Sequence, residues 1–589
     1  MNSVNNTSLP YSTMEKPNFL IILVDEERYP PVYESKEIQA WRRENLITQE
    51  RLKSHSMEFH RHYIGTTACC PSRATMFTGQ YPSLHGVSQT VGIAKESYDS
   101  DMFWLNPNTV PTMGNYFRAA GYQTYYKGKW HISNADIISP GTHQSVPSYH
   151  PFTGVPEPQL ESLYLHASRL EDFGFSDWIG PDPIGRNPRN SASSAAFGLS
   201  GRDEVYAAET VHLIESLDRR KNEHQQVEPW LIVSSFVNPH DITLYGDLAA
   251  RLPDFKFEVD PMPAVDAPPT LHEWLGTKPR CQSSYRDLYP RALQPITDQS
   301  FYRQLYYQLQ KNADRQMFKV YEALTRSSFY DNTIVIFTSD HGDLLGAHGN
   351  LHQKWYCAYE EYLHVPFLIH NKHLFPKQQH VHSLTSHVDL LPTMLGLANI
   401  NVSEIHGRLQ KEFSEARHLV GRNLTPLIYG DDNPALTQQP VYFMTDDDVT
   451  HGQHQTNPLG VPYSSVVQPN HIETVITTLS KNNKPEIWKF SRYFDNAQFW
   501  SQPGVKDVIT LPVGHPASAS GQCVTLTKTQ PVPDEYELYN VTDDPLETCN
   551  LAHSAYATPQ TMNIQQWMMQ LLEEQRKQKR LYPHQPTIR

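Results

Sequence analysis

The sequence contains no apolar segment long enough to cross a lipid bilayer, which needs about 20 consecutive apolar residues. Residues 1–16 are polar and lack the basic start and apolar core of a signal peptide. The first apolar run, residues 19–24, is too short for export or for anchoring. We therefore expect a cytoplasmic protein without a membrane partner.

Cysteine is scarce, with six residues in a chain of 589. Two are adjacent, and the others are scattered singly at positions 281, 357, 523 and 549. This distribution is not that of a small secreted protein stabilised by disulfides. It also contains no Cys-x-x-Cys pair from which a structural zinc site is usually built. The adjacent pair needs another explanation.

An excess of positive charge is missing as well. The chain has 49 Lys and Arg against 63 Asp and Glu, a formal net charge of −14. This net charge argues against steering towards nucleic acid, an anionic membrane or a long polyanionic polysaccharide. The sequence also contains no basic patch with interleaved aromatics. A locally positive cleft for one small anion remains compatible with this charge.

Continuous apolar runs followed by polar residues predict strands that are buried on both faces of a sheet. They cover residues 19–24, 230–236 and 333–339, and long helical stretches such as 301–326 separate them. The alternation predicts an α/β fold, with a large doubly wound mixed sheet sandwiched by helices.

The chain divides into three predicted parts. Residues 1–16 form an N-terminal extension, 17–430 the large catalytic domain, and 431–589 a smaller α+β domain ending in a helix near 558–579. Segments 135–198 and 252–295 are rich in Pro, Ser, Gly and His without a sustained period. We interpret them as insertions, which either shape a substrate cleft or only decorate the surface.

The run Cys69-Cys70-Pro71-Ser72-Arg73 is the most informative stretch. Pro71 suits the first position of a helix, so we expect both cysteines just before its N-terminus, where the helix dipole favours an anion. The run continues to Gly79 and closes with Tyr81-Pro82. A disulfide partner, half a metal site or two small buried residues are the ordinary alternatives.

This run resembles the signature of the sulfatases, formylglycine-dependent enzymes of the alkaline phosphatase superfamily. Residues 388–393 and 536–551 resemble later blocks of the same family. The resemblance implies that Cys69 is the modified residue. It would be oxidised by a formylglycine-generating enzyme to an aldehyde, and the hydrated aldehyde would be the nucleophile.

Two pairs of possible metal ligands, each beginning with an aspartate, follow predicted strands: Asp25-Glu26 and Asp340-His341. The carboxyl ends of strands in an open α/β sheet form the usual ligand site, where oxygen ligands hold a hard divalent cation. The resemblance implies Ca²⁺. Glu26 stands where the family usually has Asp and His341 where it often has Asn, so Mg²⁺ and Mn²⁺ remain open.

The segment Lys129-Trp130-His131 follows a strand-like stretch, residues 123–126. A period of two predicts Lys129 and His131 on one face and Trp130 on the other. The resemblance makes His240 the residue facing the leaving group and Lys354 a lysine that grips sulfate. An ordinary exposed Lys or His is the alternative at each position.

The resemblance implies hydrolysis of a small-molecule sulfate ester, aryl or alkyl, to an alcohol and inorganic sulfate. His240 would protonate the departing oxygen, and His131 would remove a proton in the second step. Arg73, Lys129 and Lys354 would hold the developing charge, a role in which one donor is typically worth about 10²–10³ in rate.

Two other functions remain open. One is a phosphonate monoester or phosphodiester hydrolase of the same superfamily, which can share the cysteine signature. The resemblance implies that such enzymes have Tyr and Thr at the positions of Lys129 and His131, so the residues present here favour a sulfatase. A catalytically silent binding protein would be expected to lack at least one of Cys69, Arg73, Asp340 and Lys129, and all four are present.

Overall fold

The computed structural model describes residues 16–184, 187–431, 433–481, 484–511 and 524–584. Almost all of the predicted N-terminal extension, and also Cys523, lie outside these ranges.

The strands are, in chain order, β1 Asn18–Asp25, β2 Ser56–Phe59, β3 His62–Tyr63, β4 Gln123–Gly128, β5 Trp230–Pro239, β6 Thr333–Ser339, β7 Phe367–His370, β8 Gln379–Val381, β9 Thr385–Ser386, β10 Val441–Thr445, β11 His471–Lys481, β12 Lys484–Phe494, β13 Asp507–Leu511, β14 Val524–Lys528 and β15 Glu535–Asn540.

The α-helices are, in chain order, α1 Lys36–Asn45, α2 Ile47–Lys53, α3 Cys69–Thr78, α4 Pro82–His85, α5 Met113–Ala119, α6 Pro158–Ala167, α7 Arg202–Asn222, α8 Arg280–Ala292, α9 Gln299–Arg326, α10 Ala347–Asn350, α11 Glu360–Leu363, α12 Leu390–Leu397, α13 Val402–Leu409, α14 Thr425–Ile428, α15 Pro434–Thr437 and α16 Pro559–Lys579.

The large domain is built on a seven-stranded mixed sheet in the order β4-β5-β1-β6-β7-β2-β8. Strands β4, β5, β1 and β6 run parallel to one another, whereas β7 is antiparallel to both of its neighbours. The carboxyl ends of the four parallel strands therefore lie along one edge, which is where a ligand site is expected.

Helices cover both faces of this sheet, because its central strand is apolar on both sides. Leu20, Ile22 and Val24 of β1 pack with side chains of α7 and α9. Phe19, Ile21 and Leu23 point to the other face and pack with side chains of α3, α5 and α12. The predicted doubly wound fold is confirmed.

A smaller C-terminal domain contains the antiparallel sheet β10-β11-β12-β15. Helix α16 packs on it through Met568 and Leu572, and the α16 residue Arg576 donates to Glu473 of β11. The predicted small α+β domain is confirmed, while the exact limits 17–430 and 431–589 stay a prediction.

The two predicted insertions contain regular structure that sequence reasoning missed, namely α6 in the first and α8 in the second. Proline obscured both helices, since Pro158 begins α6 and Pro290 lies inside α8. Within the described residues no helix is both long and apolar enough to cross a membrane. The five described cysteines are all free thiols.

Candidate active site

The ends of the four parallel strands deliver most of the predicted site residues to one place. Lys129 and His131 follow β4, His240 follows β5, Asp25 ends β1, and Asp340 with His341 follows β6. Val24 of β1 is in register with Ser339 of β6, so the two pairs that begin with Asp25 and Asp340 leave the sheet side by side. The backbone N–H of Glu26 donates to Asp340 Oδ1 at 3.1 Å.

Cys69 is the first residue of α3, and Ala68 precedes the helix as its N-cap. The expectation that Pro71 begins the helix and that both cysteines precede it is wrong. Proline is equally tolerated two residues later, because N–H groups of the first turn have no intrahelical acceptor. The helix dipole still acts at Cys69.

The Cys69 thiol lies against Asp25 and His341. Its Sγ is 3.6 Å from Asp25 Oδ1 and 3.1 Å from His341 Nε2, and the residue is 1% exposed. Burial, followed by the charge of Asp25, raises the pKa of this thiol to about 12. An unmodified Cys69 is therefore protonated at neutral pH and a poor nucleophile.

Arg73 lies one turn further along α3 and is completely buried. It donates from Nε to Asp340 Oδ2 at 2.8 Å and from an Nη to Asp25 Oδ2 at 3.0 Å. Its other Nη donates to the carbonyl of Lys129 at 2.8 Å and to Ser235 at 2.9 Å. One guanidinium thus ties together the ends of β1, β4, β5 and β6.

Asp25 and Asp340 each direct Oδ2 at Arg73 and Oδ1 at His341. Asp25 Oδ1 and Asp340 Oδ1 both lie 3.6 Å from His341 Nε2. Together with Cys69 Sγ, these atoms lie within 4.8 Å of one another. Two carboxylate oxygens and one imidazole nitrogen around a common point fit a divalent cation.

The pKa values of Asp25 and Asp340 differ widely, because two carboxylates of like charge lie close together. Burial and the Asp25 charge raise the pKa of Asp340 to about 7, although Arg73 opposes the shift. Burial also acts on Asp25, but Lys129 and other nearby cations outweigh it and hold its pKa well below the ordinary value. A cation between the acids would relieve this repulsion.

Lys129 and His131 lie beyond the end of β4 at Gly128, so the period-two argument does not apply to them. Lys129 Nζ is 2.7 Å from Asp25 Oδ2, whereas Trp130 packs in the apolar core. Both nitrogens of buried His131 lack a hydrogen-bond partner within the described chain. Burial, followed by the charge of Lys129, holds the pKa of His131 well below its usual range.

His240 follows β5 and has a similar environment. Burial and the charge of Lys129 hold its pKa well below the usual range, with smaller effects of Lys354 and His131. Its Nδ1 is 3.7 Å from Asp241 Oδ1, beyond hydrogen-bond length. His131 and His240 are therefore neutral imidazoles beside a group of cations.

Lys354 and Glu26 form a buried pair, with Lys354 Nζ 2.8 Å from Glu26 Oε2. Glu26 lies outside the four-atom set around His341, but its carboxylate forms a second cluster with Asp25 and His240. Burial raises the pKa of Glu26 well above its usual value. The role of Glu26 as a metal ligand stays a prediction.

Two supporting acids were missed by sequence reasoning. Asp182, from the first insertion, accepts from the backbone N–H of Trp130 at 2.8 Å and of His131 at 3.0 Å. Asp447, just after β10, accepts from the N–H of Ala68 at 3.3 Å and from Trp355 at 3.0 Å. Neither stands in a local pattern that indicates a site.

The family model described as Sulfatase matches residues 17–400, about two thirds of the chain. The chain belongs to the sulfatase family. This sulfatase is 28% identical over 408 residues to the Escherichia coli (strain K12) protein named "Uncharacterized sulfatase YidJ", covering 67% of this chain and 70% of that one.

Solved structures of similar fold include a 2-O GAG sulfatase, with a TM-score of 0.58, 19% identity and coverage of 96% of this chain and 93% of that one. The phosphonate monoester hydrolase of Agrobacterium radiobacter has a TM-score of 0.54 and 19% identity, with 96% of each chain covered. At these identities the two structures bear on the fold alone.

Proposed function

We propose that this sulfatase hydrolyses a small aryl or alkyl sulfate ester by using formylglycine derived from Cys69 and a divalent cation. The observation that carries the proposal is the position of Cys69, whose Sγ meets Asp25 and His341 at the strand ends. Burial and the charge of Asp25 raise the pKa of the unmodified thiol, which supports a modified side chain as the nucleophile.

Asp25, Asp340 and His341 would hold the cation, with Ca²⁺ as the proposed ion. A bound divalent cation supplies charge that stabilises anionic oxygens and lowers the pKa of a coordinated hydroxyl. Arg73 keeps the two acids in place through its Nε and Nη bonds.

Lys129 and Lys354 bind the sulfate oxygens. Both ammonium groups are buried and each is paired with an acid, Lys129 with Asp25 and Lys354 with Glu26. They therefore supply fixed positive charge in a site with little water, where such charge acts most strongly on a developing anion.

His240 delivers a proton to the departing oxygen, and His131 accepts a proton from the nucleophile in the second step. In the free site both are neutral, partly because Lys129 is close. An anionic sulfate ester bound at Lys129 and Lys354 offsets this positive charge and favours protonation of His240. His131 has no competing partner within the described chain, which suits a base.

Turnover decides between this function and phosphonate monoester hydrolysis. The chain, co-expressed with a formylglycine-generating enzyme, is assayed on an aryl sulfate and on the matching aryl phosphonate monoester. We expect higher kcat/KM for the sulfate, because Lys129 and His131 are retained. Higher kcat/KM for the phosphonate would favour the rival.

Mass spectrometry of the peptide containing residues 57–73 should place the aldehyde at Cys69. Cys69→Ala should reduce turnover by about 10³-fold or more, whereas the matched variant Cys70→Ala should retain it. An aldehyde on Cys70, or full turnover by Cys69→Ala, would contradict the assignment.

A further inference from the structure

A second cluster of metal-binding side chains lies at the edge of the large sheet. Glu58 is the last residue but one of β2, and His60 directly follows the strand. His380 lies in the neighbouring edge strand β8. Ligand atoms of Glu58, His60 and His380 lie within 4.8 Å of one another.

The register of the two strands creates this cluster. Glu58 is paired with His380, and the N–H of His60 continues the ladder by donating to the carbonyl of Val381 at 2.8 Å. Side chains two residues apart in a strand share a face, so Glu58 and His60 lie beside His380. Phe59 and Val381 point to the opposite face and pack in the core.

The distances fit a small cation after minor adjustment. His60 Nε2 is 2.8 Å from His380 Nδ1, and Glu58 Oε2 is 3.9 Å and 3.8 Å from these two nitrogens. A tetrahedral zinc ion with bonds of about 2.0–2.1 Å needs ligand atoms roughly 3.3 Å apart. The side chain of His380 is 50% exposed and can adjust by this amount.

Neighbouring groups orient the ligands in the way that metal sites require. Tyr29 Oη is 2.7 Å from His60 Nδ1, which leaves His60 Nε2 directed at His380. Gln378 donates to Glu58 Oε2 at 2.7 Å. Such outer contacts fix the ring orientation and the tautomer of a ligating histidine.

We propose that Glu58, His60 and His380 form a Zn²⁺ site that links β8 to β2, separate from the cation of the active site. Two imidazoles and one carboxylate are ligands that suit Zn²⁺ better than Ca²⁺. A water molecule completes the tetrahedron on the solvent side. The ion joins the outermost strand, which has three residues, to the rest of the sheet.

Zinc stoichiometry tests the site. The full chain is stripped with a chelator, supplied with excess Ca²⁺ and titrated with Zn²⁺ against a chromophoric chelator. Wild type should bind one equivalent more than His380→Ala or Glu58→Gln. His373→Ala changes an exposed histidine elsewhere and should keep the wild-type value. Equal stoichiometry in wild type, His380→Ala and Glu58→Gln would overturn the proposal.

Cobalt distinguishes this ion from one bound at Cys69. Asp25→Asn should still bind the equivalent of Zn²⁺ that His380→Ala loses. When Co²⁺ replaces Zn²⁺ in Asp25→Asn, the spectrum should show tetrahedral d–d bands without thiolate-to-metal charge transfer. In wild type, Zn²⁺ should raise the melting temperature, and His380→Ala should lack this rise while keeping sulfatase turnover. A thiolate band that persists in Asp25→Asn, or loss of the equivalent there, would contradict a separate site.

Discussion

Among the described residues, two buried ionic clusters differ in how completely their histidines are paired. The active-site cluster comprises Asp25, Glu26, Arg73, Lys129, His131, His240, Asp340, His341 and Lys354. The interdomain cluster comprises Glu273, Lys278, His348, Glu360, Glu361, Lys489 and Glu547, and connects the large domain to the C-terminal sheet.

In the interdomain cluster each charge has an opposite charge beside it. Lys489 Nζ of β12 is 2.8 Å from both Glu360 Oε1 and Glu547 Oε1. His348 Nδ1 is 2.9 Å from Glu273, its Nε2 is 3.3 Å from Glu361, and its ring stacks on Tyr359. Burial opposes protonation of His348, but these carboxylates raise its pKa to about 9.

The active-site cluster is different because His131 and His240 are neutral and His131 has no partner within the described chain. A buried polar group without a partner costs free energy in the folded protein, and such groups are retained where a ligand uses them. Under the proposed function, full pairing marks a cluster that stabilises the fold, and incomplete pairing marks one that binds substrate.

Replacing the unpaired histidine should produce the largest effect. We expect His131→Ala to lower kcat by about 10²–10⁴-fold, the range for loss of a proton-transferring group. Its melting temperature should stay near that of wild type, since no hydrogen bond is lost. Intact mass should also reveal a sulfated enzyme for every substrate. A strongly destabilised variant without this adduct would contradict the role of His131.

The fully paired histidine should behave in the opposite way. We expect His348→Ala to lower the free energy of unfolding by about 3–5 kcal/mol, because it leaves buried carboxylates without their cation. Urea denaturation measures this loss, and kcat/KM of the folded fraction should change little. His352→Ala is the matched control, since this buried histidine stacks on Tyr289 and its Nε2 lies 3.2 Å from the neutral amide oxygen of Gln299. Equal losses of unfolding free energy in His348→Ala and His352→Ala would contradict the stabilising role of the ion pairs around His348.

The same pairing predicts a dependence of stability on pH. The pKa of His348 is raised to about 9 in the folded chain. Its contribution is complete below the ordinary histidine pKa of about 6.5 and is lost as pH rises through 9, by at most about 3 kcal/mol. Denaturation at pH 6.5 and 9.5 should show this loss in wild type and in His352→Gln. His348→Gln should show a clearly smaller loss.

The role of His240 predicts the smallest effect. We expect His240→Ala to slow hydrolysis of alkyl sulfates by about 10²-fold and that of activated aryl sulfates by less than about 10-fold. An alkoxide needs the proton in the transition state, whereas a phenoxide of low pKa leaves without it. A leaving-group series measures the difference. Equal losses along the series would make His240 a positioning group.

The sequence predicts those site residues that follow buried strands. Asp25 and Asp340 come directly after an apolar run and His240 comes shortly after one, and adjacent parallel strands bring such positions together. Lys129 and His131 were identified by their resemblance to a family segment, since they lie beyond the end of β4 and the period-two argument does not apply to them. The continuous apolar runs, separated by helical stretches, were enough to predict a sheet sandwiched by helices.

The sequence does not predict the contacts between distant segments. Asp182 supports His131 from inside an insertion with no regular pattern, and Asp447 supports Ala68 across 379 positions of the chain. Nor does the sequence indicate that His348 is paired, because its partner Glu273 is 75 residues away. Nothing in the local sequence distinguishes a paired histidine from an unpaired one.

Under the proposed function, the packing of α3 also determines when Cys69 can be oxidised. All ten residues of this helix are buried, and Cys69 is 1% exposed. An enzyme that oxidises the thiol cannot reach it once the helix has packed beneath the sheet edge. Under the proposed function, oxidation must precede folding during biosynthesis. In a chain that folds first, Cys69 stays a thiol. Later addition of the formylglycine-generating enzyme should then not oxidise it.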